Sequence, residues 1–127
     1  MPYSELTQRY FDLAPNAGAL HGRGVGSGTA GSREAGTEVR FDVQVVDDHI
    51  TVARFLAFGC PHVIAIASWL TEQSPGTRAR AALPENVQAL RRRFDVPVEK
   101  LGRILVVEDA WIAAIRAAVT KSKEAML

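Results

Sequence analysis

Residues Arg54–Trp69 read RFLAFGCPHVIAIASW. An apolar run of strand character meets Gly59-Cys60-Pro61, and beyond the proline the apolar residues crowd too densely for an alternating strand. Proline suits the first turn of a helix, where its missing N–H would have had no partner. The stretch therefore predicts a strand that feeds directly into a deeply buried helix, with the chain's one cysteine at the junction. Cys60 then has two readings. Free cysteine behaves as a small hydrophobe and is among the most buried residue types. At a helix mouth, however, it meets unpaired N–H groups and the positive end of the dipole, which favour the thiolate. His62, two residues on, offers a further charge or a second ligand.

Working outward, the clearest periodicity is Glu38–Val45, EVRFDVQV. Val39, Phe41, Val43 and Val45 point one way and Glu38, Arg40, Asp42 and Gln44 the other, which predicts a half-buried strand. Asp47-Asp48 predict a hairpin turn into a second strand over 50–58. Before them, residues 18–36 hold seven of the ten glycines and are expected to be loop or irregular strand. Ser4 is placed to cap a first helix running to about Leu13. After the Cys60 helix, which Pro75-Gly76 end, a short helix is expected over 84–94, with Val87, Leu90 and Phe94 as its stripe. Its Arg91-Arg92-Arg93 run reads as a solvated last turn. A last helix over 104–123 is expected to bury Val107, Trp111, Ala114, Ile115 and Ala118. Strands first and helices after predict an α+β fold over residues 1–127: an antiparallel sheet with helices packed on one side.

Composition narrows the function. A 127-residue chain, 47% hydrophobic and 23% charged, fits one globular domain. A net charge of +1 points to neither nucleic acid nor an acidic membrane surface. No apolar run approaches the roughly 20 residues of a membrane span. One cysteine excludes an internal disulfide, and the N-terminus lacks the pattern of a signal peptide, so the cytoplasm is the expected compartment. GSGTAG (Gly26–Gly31) matches a dinucleotide-binding pattern by its letters, yet a strand follows where a helix is required, so a flexible loop is expected instead. His21, His49 and His62 do not form a metal-ligand spacing, and His49 is expected to be exposed.

Four segments carry a family resemblance: YSELTQRYFDLAPNAGAL, VGSGTAGSREAGTEVRFDVQV, ITVARFLAFGCPHVIAIASWLTE and ILVVEDAWIAAIRAAVTKSK. In order along nearly the whole chain, they resemble the iron–sulfur cluster assembly scaffolds of the IscU/NifU N-terminal type. The resemblance implies an IscU/SufE-like α+β fold with a three-stranded antiparallel sheet, a cysteine desulfurase as partner, a chaperone pair, and a labile iron–sulfur cluster or iron as cargo. It also implies ligands: three cysteines, aided by an aspartate and a histidine. Here the first cysteine falls on Ala35, the aspartate on Thr37, the second cysteine on Cys60, and the third cysteine and its histidine on Arg103 and Gly102. The chaperone stretch is altered at Val96–Lys100.

Thiolates hold iron–sulfur clusters, so one cysteine per chain does not make an ordinary four-thiolate site in a monomer. Three expectations follow. The chain accepts sulfur on Cys60 as a divergent scaffold that is not a turnover enzyme, or bridges a labile cluster across a homodimer with Cys60 and His62 as metal ligands. Alternatively it is a SufE-like sulfur carrier, with Arg103 or His62 stabilising the charged sulfur. Last, it docks on the desulfurase as a regulator without chemistry.

Overall fold

The computed structural model describes residues 3–125. The elements follow as α1 (Glu5–Leu13), β1 (Val25–Ser32), β2 (Thr37–Val46), β3 (His49–Phe58), α2 (Pro61–Gln73), α3 (Val87–Arg93), a 3₁₀ turn (Val98–Lys100) and α4 (Leu101–Ala125). The strands form one antiparallel sheet in the order β1-β2-β3, as expected from strands preceding helices.

The β2–β3 hairpin is the most local part of the fold. Asp47 and Asp48 take φ of 51° and 63°, the left-handed pair that a two-residue hairpin turn needs. All four alternating residues Val39, Phe41, Val43 and Val45 are buried. They form the floor of a core roofed by Ile66 and Leu70 of α2 and by Ile104, Val107 and Trp111 of α4. The rings of Phe41 and Trp111 meet edge to face at 5.0 Å.

Two expectations need correction. The glycine segment is not a flexible loop: Gly26–Gly31 lies inside β1, paired throughout with β2 from Val25–Gln44 to Ser32–Thr37. The glycines serve close approach instead. A Cβ at Gly26 would lie 2.0 Å from Ala118 N, and one at Gly28 would lie 2.2 Å from Ala114 N. Helix α4 therefore rests backbone on backbone against β1, with Ala110, Ala114 and Ala118 facing the strand at one-turn intervals.

The polar face of β2 is also not wholly solvated. Asp42 is 1% exposed. Residues 16–18 run beside β3, where Phe55 N–H donates to Asn16 O at 3.1 Å and Gly18 N–H to Phe55 O at 2.8 Å. The chain then crosses the sheet towards β1 and covers Asp42. Its carboxylate accepts the Leu20 N–H at 2.9 Å, the Ser27 hydroxyl at 2.7 Å and the Arg40 Nε–H at 2.9 Å. Burial pushes this carboxyl up, but these donors outweigh it and hold Asp42 below the usual carboxylate range.

The helices match expectation closely, differing at their ends. Ser4 caps α1 by accepting the Thr7 N–H at 3.2 Å. α3 is shorter than expected because Asn86, not Pro84, caps it, accepting the Ala89 N–H at 2.8 Å. α4 begins three residues early, continuing directly from the 3₁₀ turn. Arg93 is not merely solvated: it pairs with Glu85 and lies over the Trp69 ring at 5.2 Å. Among the described residues, no helix is long and apolar enough to cross a membrane.

Gly28→Ala is expected to destabilise the protein by about 3 kcal/mol, the upper end of overpacking, because the added methyl meets backbone that cannot rotate away; thermal or denaturant unfolding measures it. Asp42→Asn is expected to cost about 2 kcal/mol at neutral pH through weakened charged hydrogen bonds. Because the folded-state pKa of Asp42 is depressed, its stabilisation is present above the unfolded value near 4 and lost as pH falls through the folded value. Urea unfolding across pH 2–7 should show the gap between wild type and Asp42→Asn closing at the acid end.

Candidate functional site

The glycines and the helix starts bring three segments to one end of the sheet. The β1–β2 turn, residues 33–36, holds Ala35, whose N–H donates to Ser32 Oγ at 3.1 Å. Thr37 opens β2 and is buried. Gly102 and Arg103 lie in the first turn of α4. Gly59 precedes Cys60 in a tight corner: a Cβ there would lie 3.6 Å from Gly36 O and from Val63, so the strand-to-helix junction abuts the hairpin tip.

Ala35, Thr37, Gly102 and Arg103, predicted from separate parts of the chain, line one open cleft of ≈ 250 Å³ with Gly31, Glu99 and Val106. Glu99 and Gly31 are additions that sequence reasoning missed. Glu99 stands four residues before Arg103, a helical spacing, but nothing in the sequence says which cleft that face borders.

Cys60 is the N-cap residue of α2, with Pro61 at the first helical position, as expected. It is half-buried, and it is the free thiol of the chain. Its sulfur makes no full capping hydrogen bond. Burial alone pushes the thiol up. The Val63 N–H, the Arg103 side chain and the His62 N–H together outweigh burial, and the Cys60 thiol titrates below its ordinary value. Arg103 is thus the element common to the cleft and the thiol.

His62 lies beside the sulfur, with Nδ1 3.9 Å from Sγ. The ring is buried and meets Tyr3 edge-on at 4.8 Å. Burial lowers its pKa, Lys100 and Arg103 lower it further, and Asp95 pulls the other way; the net shift is downward. Near neutral pH the imidazole is therefore neutral, and the cation at Cys60 is Arg103. His21 and His49 are exposed and stand elsewhere; His49 bonds the Asp47 carbonyl through Nδ1 at 2.8 Å. In the altered chaperone stretch, Val96 is buried while Val98 is 63% exposed.

The donor set decides what the site can hold. Among the described residues, no group of three or more His, Cys, Asp or Glu side chains is placed to bind a metal ion. One thiolate with a guanidinium beside it does not fit a four-thiolate cluster site. What it can do is stabilise a single sulfur anion and present it at a partly open surface.

Four likenesses, one to a family model and three to known proteins, bear on this geometry. The model of the NifU-like N terminal domain matches residues 2–125. The iron-sulfur cluster assembly scaffold protein IscU of Rickettsia prowazekii is 32% identical over 118 residues, covering 91% of this chain and 90% of that protein. Its namesake in Escherichia coli K12 is 30% identical over 118 residues, covering 91% and 92%. In fold, the N-terminal NifU-like protein of Brucella abortus superposes with a TM-score of 0.72 at 20% identity, covering 93% of this chain and 94% of that one. With the family model spanning residues 2–125 and relatives at 30–32% identity over most of both chains, the chain belongs to the NifU-like N-terminal domain family.

Proposed function

We propose that this protein works in iron–sulfur cluster assembly as a sulfur acceptor, with Cys60 receiving sulfur from a cysteine desulfurase in the cytoplasm. The observation that carries the reading is the half-buried Cys60 thiol at the mouth of α2, lowered in pKa with Arg103 beside it. Family membership supplies the context, and the missing donors argue against lasting cluster storage.

The chemistry is a sulfur transfer without net redox change. The Cys60 thiolate attacks the terminal sulfur of a persulfide on the desulfurase cysteine. A new S–S bond forms at Cys60 as the old one breaks, and the desulfurase cysteine leaves as a thiolate that takes up a proton. The product on Cys60 is an anionic persulfide, whose charge the Arg103 guanidinium beside the thiol would stabilise. Attack needs only a thiolate, and the lowered pKa of Cys60 favours that form. Each chain accepts one sulfur and must hand it on, so the role is that of a stoichiometric acceptor. Thr37 and Glu99 give the cleft polar walls, while Ala35 and Gly102 leave room in it.

Incubation with a cysteine desulfurase and cysteine is expected to add the mass of one sulfur atom to the Cys60 peptide, and Cys60→Ser is expected to abolish the adduct. An unmodified Cys60 peptide under turnover rejects the reading; a desulfurase whose rate still responds to Cys60→Ser would mark the chain as a regulator without chemistry. The pH dependence of thiol alkylation gives a second check. Wild-type Cys60 should reach half its maximal rate below the pH typical of a free cysteine, and Arg103→Met should move that midpoint upward, since it removes the cation that favours the thiolate.

A further inference from the structure

A second cavity lies away from Cys60. Strand β3 starts at its border with Ile50 and ends next to Cys60, and at about 3.3 Å per residue its ten residues put roughly 30 Å between the two sites. Helix α2 joins them, with Cys60 at its N-cap and Ser74 at its C-cap.

The cavity measures ≈ 380 Å³ and is lined by Ile50, Ser74, Arg78, Arg80, Leu83 and Trp111 among others, none of them acidic. That size falls within the range of small-molecule sites, about 300–1,000 Å³. Its wall is built before any ligand arrives. The 76–79 segment is pinned along the start of β3 by Gly76 N–H to Ile50 O at 2.7 Å, Ile50 N–H to Thr77 O at 2.9 Å and Ala79 N–H to Asp48 O at 2.8 Å. Trp111 and Ile50 give it an apolar floor.

Two features of the polar lining are unexplained by folding. The Ser74 hydroxyl is buried and has no hydrogen-bond partner, a costly state for a group that could have been placed in water. Arg78 and Arg80 are exposed at the rim, and among the described residues neither forms an ion pair. Ser74 closes the negative end of α2, so an acid group belongs at the arginines and not at the serine.

We propose that this cavity binds a small organic anion with an apolar body, its acid group between Arg78 and Arg80, its body on Ile50, Leu83 and Trp111, and a polar substituent reaching Ser74. This site does not rest on the chemistry of Cys60, and its test reads out elsewhere.

The test is a titration of the full chain with benzoate, benzamide and inorganic phosphate as probes, followed by amide ¹⁵N–¹H chemical shifts. Benzoate is expected to shift the Ser74, Thr77, Arg78 and Leu83 amides saturably, and benzamide to bind at least about tenfold more weakly for want of the charge. The Arg78→Gln/Arg80→Gln double variant, altered only at exposed positions, should fold with an unchanged melting temperature and lose at least about tenfold in benzoate affinity. Absence of shifts at these amides overturns the proposal, as does benzoate binding that the double variant leaves intact. Phosphate binding there as tightly as benzoate also overturns it, since the arginines would then act without the cavity.

Discussion

The architecture depends on the contact between α4 and β1 at Gly26 and Gly28. Neither residue has a Cβ, and in both places the nearest atoms are helix backbone, too close for any side chain to intervene. A helix that packs on a sheet through large side chains stands well above it and has freedom to slide. Here the alanines of α4 meet glycines, and the allowed placement is narrow because backbone atoms do not change rotamer. That contact sets where both ends of α4 fall. Its first turn arrives at the β1–β2 hairpin tip with Gly102 and Arg103, and its middle brings Trp111 against Phe41.

From this geometry follows an electrostatic character unlike that of a metal site. A cluster or metal is held where several anionic donors converge on a cation. Here Ala35, Thr37, Gly102 and Arg103 contribute a methyl, a hydroxyl, no side chain and a fixed positive charge, and Glu99 adds a single carboxylate. Beside a lone thiolate, a guanidinium stabilises the anion and opposes the approach of a further cation. Burial of His62 strengthens the asymmetry, since its neutral ring adds no charge of its own. The charges around Cys60 thus favour its thiolate form.

Much of the fold was legible in local pattern. The alternation over Glu38–Val45, the Asp47-Asp48 turn, Ser4 as a cap and Pro61 as a helix start are each decided by neighbours in sequence, and each appears in the structure. The glycine segment was misjudged for a physical reason. Glycine weakens a strand unless something requires the space, and the requirement came from α4, some 85 residues further along. Asp42 was misjudged likewise, because the residues that cover it belong to the 16–24 crossing and not to its own strand. Of the site, Cys60 was visible as a helix-mouth cysteine, whereas Glu99 and the cavity by Ser74 carried no signal along the chain.

The sequence by itself determined the order of elements, the inward face of β2, the place of Cys60 at a strand-to-helix junction, and, through the resemblance of its segments, the family. These rest on short-range terms: backbone propensity, capping and the period of apolar residues. Tertiary structure alone decided that Arg103 stands beside the Cys60 thiol, that four residues from distant parts of the chain line one cleft, and that Asp42 is buried with its charge satisfied. Those outcomes depend on distances between residues far apart in the chain, and such distances exist only once α4 has seated on the glycines of β1.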